Sequence, residues 1–125
     1  MKKIIESPGA PKAVGPYSQA VEAGGTLYVS GQLPIDPATG KFVAGGVAEQ
    51  TAQCLKNTGA ILAEAGYDCS SVVKSTVLLA DMNDFAVMNE VYARFYAAPY
   101  PARIAFQAAR LPMGAMVEIE TVAVK

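Results

Sequence analysis

The run Pro101-Ala102-Arg103-Ile104-Ala105-Phe106, followed by Val117-Glu118-Ile119-Glu120, decides how this chain is read. Both stretches alternate as strands do, yet each sets charge where a small sheet packs apolar side chains. A guanidinium fork and a carboxylate on neighbouring strands suit a small anionic ligand and a proton transfer.

The flanking segments supply the rest of the fold. From Val47 to Ala65, the residues Ala48, Ala52, Leu55, Gly59 and Leu62 recur at spacings of three and four, which predicts a helix stopped by Gly66. Asp84–Ala97 predicts a second helix, with Phe85, Met88, Val91, Tyr92 and Phe95 along one side. Asn83 or Asp84 would cap it, and Pro99 and Pro101 prevent its continuation. Val72–Ala80 reads as a buried strand between the two helices. Upstream, three prolines and two glycines in the first sixteen residues predict an extended arm with a short strand at Lys3–Glu6. Tyr17–Val21 and Thr26–Ser30 read as strands joined by a glycine hairpin, and Pro34–Lys41 as a loop. Arg103–Ala109 and Met116–Val124 complete the order β-β-α-β-α-β-β.

Two amphipathic helices can cover one face of such a sheet in a single α+β domain spanning residues 1–125. Strand alternation then places Ile104, Phe106, Ala108, Val117, Ile119, Thr121 and Ala123 under the helices. It turns Arg103, Ala105 and Gln107 to the other face, with Glu118, Glu120, Val122 and Val124. A bulge in either strand would disturb this sorting.

Composition narrows the function. Charged residues are 17% of the chain against 52% hydrophobic, below the charge of an ordinary soluble domain, which predicts self-association. Net charge is −1 and no basic run is present, so binding to a nucleic-acid backbone is not expected. No apolar stretch is long enough for a membrane span. The first residues lack the apolar core of a secretion signal, which predicts a cytoplasmic protein. Cys54 and Cys69 form no CxxC pair and read as free thiols. The absence of histidine removes the commonest neutral-pH proton carrier and the commonest transition-metal ligand, so no metal is expected. Gly45-Gly46 lacks the spacing of a phosphate loop.

Each candidate residue has two readings. Arg103 either grips a carboxylate or makes a structural ion pair with Glu118 or Glu120. Glu120 is either a proton carrier whose pKa burial raises, or an interface charge. Glu118 shares its face. Ser30 and Gly31 end a strand, where glycine admits a ligand close to the backbone and the hydroxyl can hydrogen-bond. Without histidine to activate it, Ser30 is no nucleophile. Tyr17 either closes a pocket or packs in the core, and Asn89 either serves the site or faces solvent.

These residues also give the chain a likeness. It resembles the RidA (YjgF) family over essentially its whole length. The likeness rests on Gly15-Pro16-Tyr17-Ser18-Gln19-Ala20, Leu27-Tyr28-Val29-Ser30-Gly31-Gln32, Asp36-Pro37-Ala38-Thr39-Gly40 and the two C-terminal runs above. The resemblance implies a chorismate-mutase-like α+β fold, with a mixed, mainly antiparallel sheet and two helices on one face. It implies a homotrimer with clefts between subunits, and hydrolysis of 2-imino acids released by pyridoxal-phosphate dehydratases, giving 2-oxo acids and ammonia without a cofactor. Carried over by position, Arg103 would bind the substrate carboxylate and Glu120 would activate water and carry the proton. Tyr17 would border the cleft, and Ser30, Gly31 and Asn89 would place substrate or water. Many members have a cysteine where this chain has Ala105, so no thiol can act there. An RNA-directed translation inhibitor or endoribonuclease is the competing reading, and a ligand-binding trimer without catalysis is a third.

Overall fold

The computed structural model describes residues 1–125. Six strands form one sheet: β1 (Lys3–Ile5), β2 (Ala20–Ala23), β3 (Thr26–Gln32), β6 (Val72–Leu79), β7 (Ala102–Gln107) and β8 (Val117–Val124). Their spatial order is β1-β2-β3-β8-β6-β7. Every pairing is antiparallel except β6 with β7, which are parallel and joined through α2 (Phe85–Phe95). Together with α1 (Val47–Glu64), α2 covers one face of the sheet. The Pro34–Lys41 segment, expected as a loop, contains a small hairpin of β4 (Ile35–Asp36) and β5 (Lys41–Phe42). Asp36 turns it by accepting from the Ala38 amide at 2.9 Å.

Local chemistry sets the helix ends. Glu49 reaches back to the Gly46 amide at 2.8 Å and starts α1. Gly66 ends it at φ +79°, with the Tyr67 amide donating to the Leu62 carbonyl at 2.8 Å. Neither Asn83 nor Asp84 caps α2 through its side chain, contrary to the sequence reading. A turn of 3-10 helix at Met82–Asp84 precedes α2, and Asp81 caps that turn by accepting from the Asn83 amide at 2.9 Å.

The core lies between helices and sheet. Leu27, Leu55, Ile61, Leu62, Val77, Leu79, Met88, Val117 and Ile119 are fully buried there. Cys54 sits among them, its thiol donating to the Val117 carbonyl at 3.7 Å. Cys54 and Cys69 are both free. No helix is long and apolar enough to cross a membrane.

One expectation fails in a consequential way. Ile104 and Phe106 do not lie under the helices: they are 50% and 45% exposed on the uncovered face. Arg103 and Ala105 face the helices instead. Strand β7 is the sheet's edge, and its register with β6 fixes this parity. Ser75, fully buried, pairs with Arg103, whereas Thr76 pairs with Ile104.

Truncating the centre of the sheet should be costly. Leu79→Ala is expected to lower the unfolding free energy by about 2–5 kcal/mol, read from urea denaturation at fixed protein concentration. A loss below about 1 kcal/mol would contradict the packing described.

Candidate active site

Arg103 is held by one face of α2. Phe85, Asn89 and Tyr92 stand at spacings of four and three along that helix, so they share a side. The guanidinium carbon lies 4.8 Å from the Tyr92 ring centre and 5.5 Å from that of Phe85. Its Nη1 donates to Asn89 Oδ1 at 2.7 Å. Two aromatic faces and one hydrogen bond thus fix the plane of a cation that would otherwise swing on a flexible stem. Burial pushes the Tyr92 phenol up, against the opposing pull of the Ser75 hydroxyl and the Arg103 charge, so the ring stays neutral at pH 7. The fork opens into a recess of about 500 Å³ lined by Asn89, Tyr92, Ala93, Tyr100, Pro101 and Arg103.

A second cluster forms where β3 meets β8. Val29 pairs with Thr121 and Gln32 with Ile119, so Ser30 and Gly31 together oppose Glu120. This is a β-bulge, a device that re-aims side chains locally. The cleft beside it, about 320 Å³, is bordered by Ser18, Tyr28, Ser30 and Glu120. The Ser30 hydroxyl donates to the Ser18 carbonyl at 2.6 Å, so its proton is committed to the backbone and its oxygen can only accept from a ligand. Gly31 leaves room for Glu118: a β-carbon there would meet its carboxylate, which would have to shift. Tyr17, half exposed, lines an adjoining cavity of about 520 Å³, and Ser18 borders both spaces.

The candidate residues therefore fall into two groups. Ser30, Gly31 and Glu120 gather around the bulge, with Tyr17 lining the cavity that adjoins it through Ser18; Arg103 and Asn89 gather on α2. Strands β7 and β8 are not neighbours, as the sequence reading supposed, because β6 runs between them. Thr76 of β6 pairs with both Glu120 and Ile104, so Glu120 leaves the sheet on the face opposite to Arg103. An ion pair of Arg103 with Glu118 or Glu120 of the same chain is ruled out by that geometry. Glu120 is exposed in the single chain, so the burial expected for it is not supplied there.

Sequence reasoning missed three features. Phe85 and Tyr92 were placed in the apolar stripe, yet they are the platform for Arg103, and their spacing with Asn89 was the available signal. Gln19 is buried and bonded to the N-terminal arm. The third is the raised carboxyl of Glu118, a residue the sequence placed only on the face of Glu120: it is pushed up first by burial and second by the Glu120 charge. No cluster of three or more histidine, cysteine or acidic side chains could hold a metal. The chemistry on offer is a fixed guanidinium fork, whose geometry matches a carboxylate, and, elsewhere on the surface, a pair of carboxyl groups near a cleft.

Carboxyl-carbon NMR titration tests the electrostatics. Glu118 is expected to release its proton above about 4.3, the ordinary value for a glutamate. Glu120→Gln should move it partway back, since that change removes the lesser of the two causes. An ordinary titration of Glu118 would contradict the burial described.

The arrangement has close counterparts. The sequence model of a family described as "Endoribonuclease L-PSP" matches residues 7–125. A 2-iminobutanoate/2-iminopropanoate deaminase of Mus musculus is 53% identical, over all of this chain and 93% of the relative. The Bos taurus protein of the same name is 54% identical over all of this chain and 91% of the relative. Among solved structures, a putative endoribonuclease from Thermotoga maritima superposes with a TM-score of 0.97 at 47% identity, covering all of this chain and 98% of that one. TdcF of E. coli with bound serine superposes at 0.94 with 44% identity, over 98% of both chains. With two helices on a mixed, mainly antiparallel sheet, and relatives matched from end to end, this chain belongs to the endoribonuclease L-PSP family, the family of RidA and YjgF.

Proposed function

We propose that this chain hydrolyses 2-imino acids, 2-iminobutanoate and 2-iminopropanoate among them, to 2-oxo acids and ammonia. The carrying observation is the Arg103 guanidinium, fixed by Asn89, Tyr92 and Phe85 with its remaining donors directed to a surface recess. Such a fork matches a carboxylate in two parallel hydrogen bonds. Identity of 51–54% to mammalian proteins named as these deaminases supports the same reading. So does the serine in TdcF, which carries its carboxylate on the carbon that bears nitrogen, as a 2-imino acid does.

The chemistry asks little of a nucleophile. A protonated imine is electrophilic at carbon, so water adds once it is positioned and deprotonated. Glu120 takes one proton as the oxygen bonds to carbon and the C=N double bond becomes single. The carboxyl then passes that proton to nitrogen and recovers one from the adduct's hydroxyl as the C–N bond breaks and the carbonyl forms. The departing ammonia takes that last proton from Glu120, so iminium and water enter, oxo acid and ammonium leave, and the carboxylate is restored. Arg103 contributes binding and Glu120 contributes rate.

A substrate of this size cannot touch Arg103 and Glu120 of one chain, because they leave opposite faces of the sheet. The reading therefore draws the two groups from different copies, in a homotrimer with a site at each junction. Tyr17, Ser30 and Gly31 come with Glu120, while Asn89 comes with Arg103. Apolar side chains on the uncovered face, including Tyr28, Ile104, Phe106 and Val124 at 40–53% exposed, give copies a reason to associate. Residues 1–125 work as one domain, in the cytoplasm, without metal or organic cofactor. The absence of histidine and a net charge of −1 weigh against the ribonuclease named in the family description.

The test adds purified protein to a dehydratase reaction and follows interception of the imine by semicarbazide. Arg103→Ala is expected to raise KM steeply. Glu120→Gln should lower kcat by about 10²–10⁴-fold with KM little changed. Unchanged acceleration in both variants would refute the assignment.

A further inference from the structure

Gln19 stands just before β2 and is only 4% exposed, yet its side chain bonds to none of the strands. Its Oε1 accepts from the Ser7 amide at 2.6 Å. Its Nε2 faces the carbonyls of Ser7 at 3.1 Å, Ala10 at 3.3 Å and Pro11 at 2.8 Å. All of these partners belong to the N-terminal arm. Beyond β1, which pairs with β2, the arm has little backbone bonding of its own: Ala10 donates to Ser7 at 3.3 Å and Tyr17 to Gly15 at 2.8 Å. Pro8, Pro11 and Pro16 have no amide proton to give. Buried Ala10 anchors the arm's near half against the core. The far half, Lys12 to Pro16, leads into Tyr17, Ser18 and then Gln19 itself.

The geometry closes a short loop of chain. Gln19 grips its start through Ser7, Ala10 and Pro11. At its end, the Ser30 hydroxyl holds the Ser18 carbonyl, and the Ser30 amide donates to the Gln19 carbonyl at 2.9 Å. Tyr17 lies between these two holds, with its ring half exposed. We propose that Gln19 is a positioning residue: its carboxamide fixes the arm and, through it, the place of the Tyr17 ring beside the Ser30–Glu120 cleft. The role in turnover rests on the deaminase reading above; the control of Tyr17 does not. A carboxamide suits the task because it accepts the amide at one atom and offers two protons at the other, shared among the three carbonyls.

Two measurements separate positioning from general support. The chain has no tryptophan, so Tyr17→Trp introduces a single indole. Its fluorescence anisotropy is expected to be high with Gln19 present and to fall towards that of a free segment in the Gln19→Leu background. Gln19→Glu keeps the shape and serves if the leucine variant fails to fold. Its protonated acid can donate one bond and its anion none, and burial among carbonyls favours the acid. The other titratable groups around that cavity are Glu6, Lys12 and residue 17 itself, which the indole makes non-titrating. Anisotropy in Gln19→Glu should fall as pH rises from about 5 to about 8, while the Gln19 parent stays flat. Equal anisotropy in all three backgrounds would overturn the proposal.

In turnover, Gln19→Leu is expected to raise KM roughly tenfold with kcat nearly unchanged, and to add nothing in a Tyr17→Ala background. Effects that simply multiply would show that Gln19 acts without Tyr17. If the parent protein hydrolyses no imine, the deaminase reading fails and the anisotropy series alone decides the role of Gln19.

Discussion

The parity of three strands governs this protein. Strand β6 pairs with β8 on one side and β7 on the other, and each residue of β6 passes its facing to both partners. Ser75 is buried beneath the helices and aligns with Thr121 and Arg103. Thr76 aligns with Glu120 and Ile104. The period of two in a strand therefore sends the guanidinium to the helix side and the carboxylate to the open side. A shift of one residue in either register would bring both to one face and change the protein's chemistry.

Around that constraint, each half of the candidate site is built from rigid parts. α2 supplies an aromatic platform and an amide acceptor that hold Arg103 in one plane. The bulge in β3 sets two residues opposite Glu120 and leaves Gly31 bare so that the Glu118 carboxylate fits. Glu118 thereby becomes a half-buried acid beside an exposed one, and its carboxyl is pushed up first by burial and then by that neighbour's charge. The Glu120 charge thus adds to burial in raising Glu118, a residue in which the sequence showed only a shared face.

Much of this was legible in the sequence, and the failures share one physical source. Both main helices, the hairpin glycines, the stop at Gly66 and the long strands follow from apolar spacing and turn chemistry. The facing of β7 did not, because sequence sorting assumes that apolar side chains turn toward the helices. Ile104 and Phe106 turn away, onto the face the helices leave uncovered. Glu120 was expected to be buried for the same reason: its surroundings in sequence are apolar, but they line the uncovered face. The arginine platform could have been found from Phe85, Asn89 and Tyr92, whose spacing puts an amide between two rings. The grip of Gln19 could not, since its partners are backbone groups that leave no mark on side-chain pattern.

The account depends on Arg103 and Glu120 acting together although no single chain can bring them together. Mixing decides this most directly. Arg103→Ala and Glu120→Gln chains, each crippled alone, are dissociated, combined in equal amounts and reassembled. If each site takes its arginine from one copy and its carboxylate from another, imine hydrolysis should return to about a quarter of the parent level, the chance that random assembly joins two intact groups. Mixed assemblies as inactive as their parents would contradict the account.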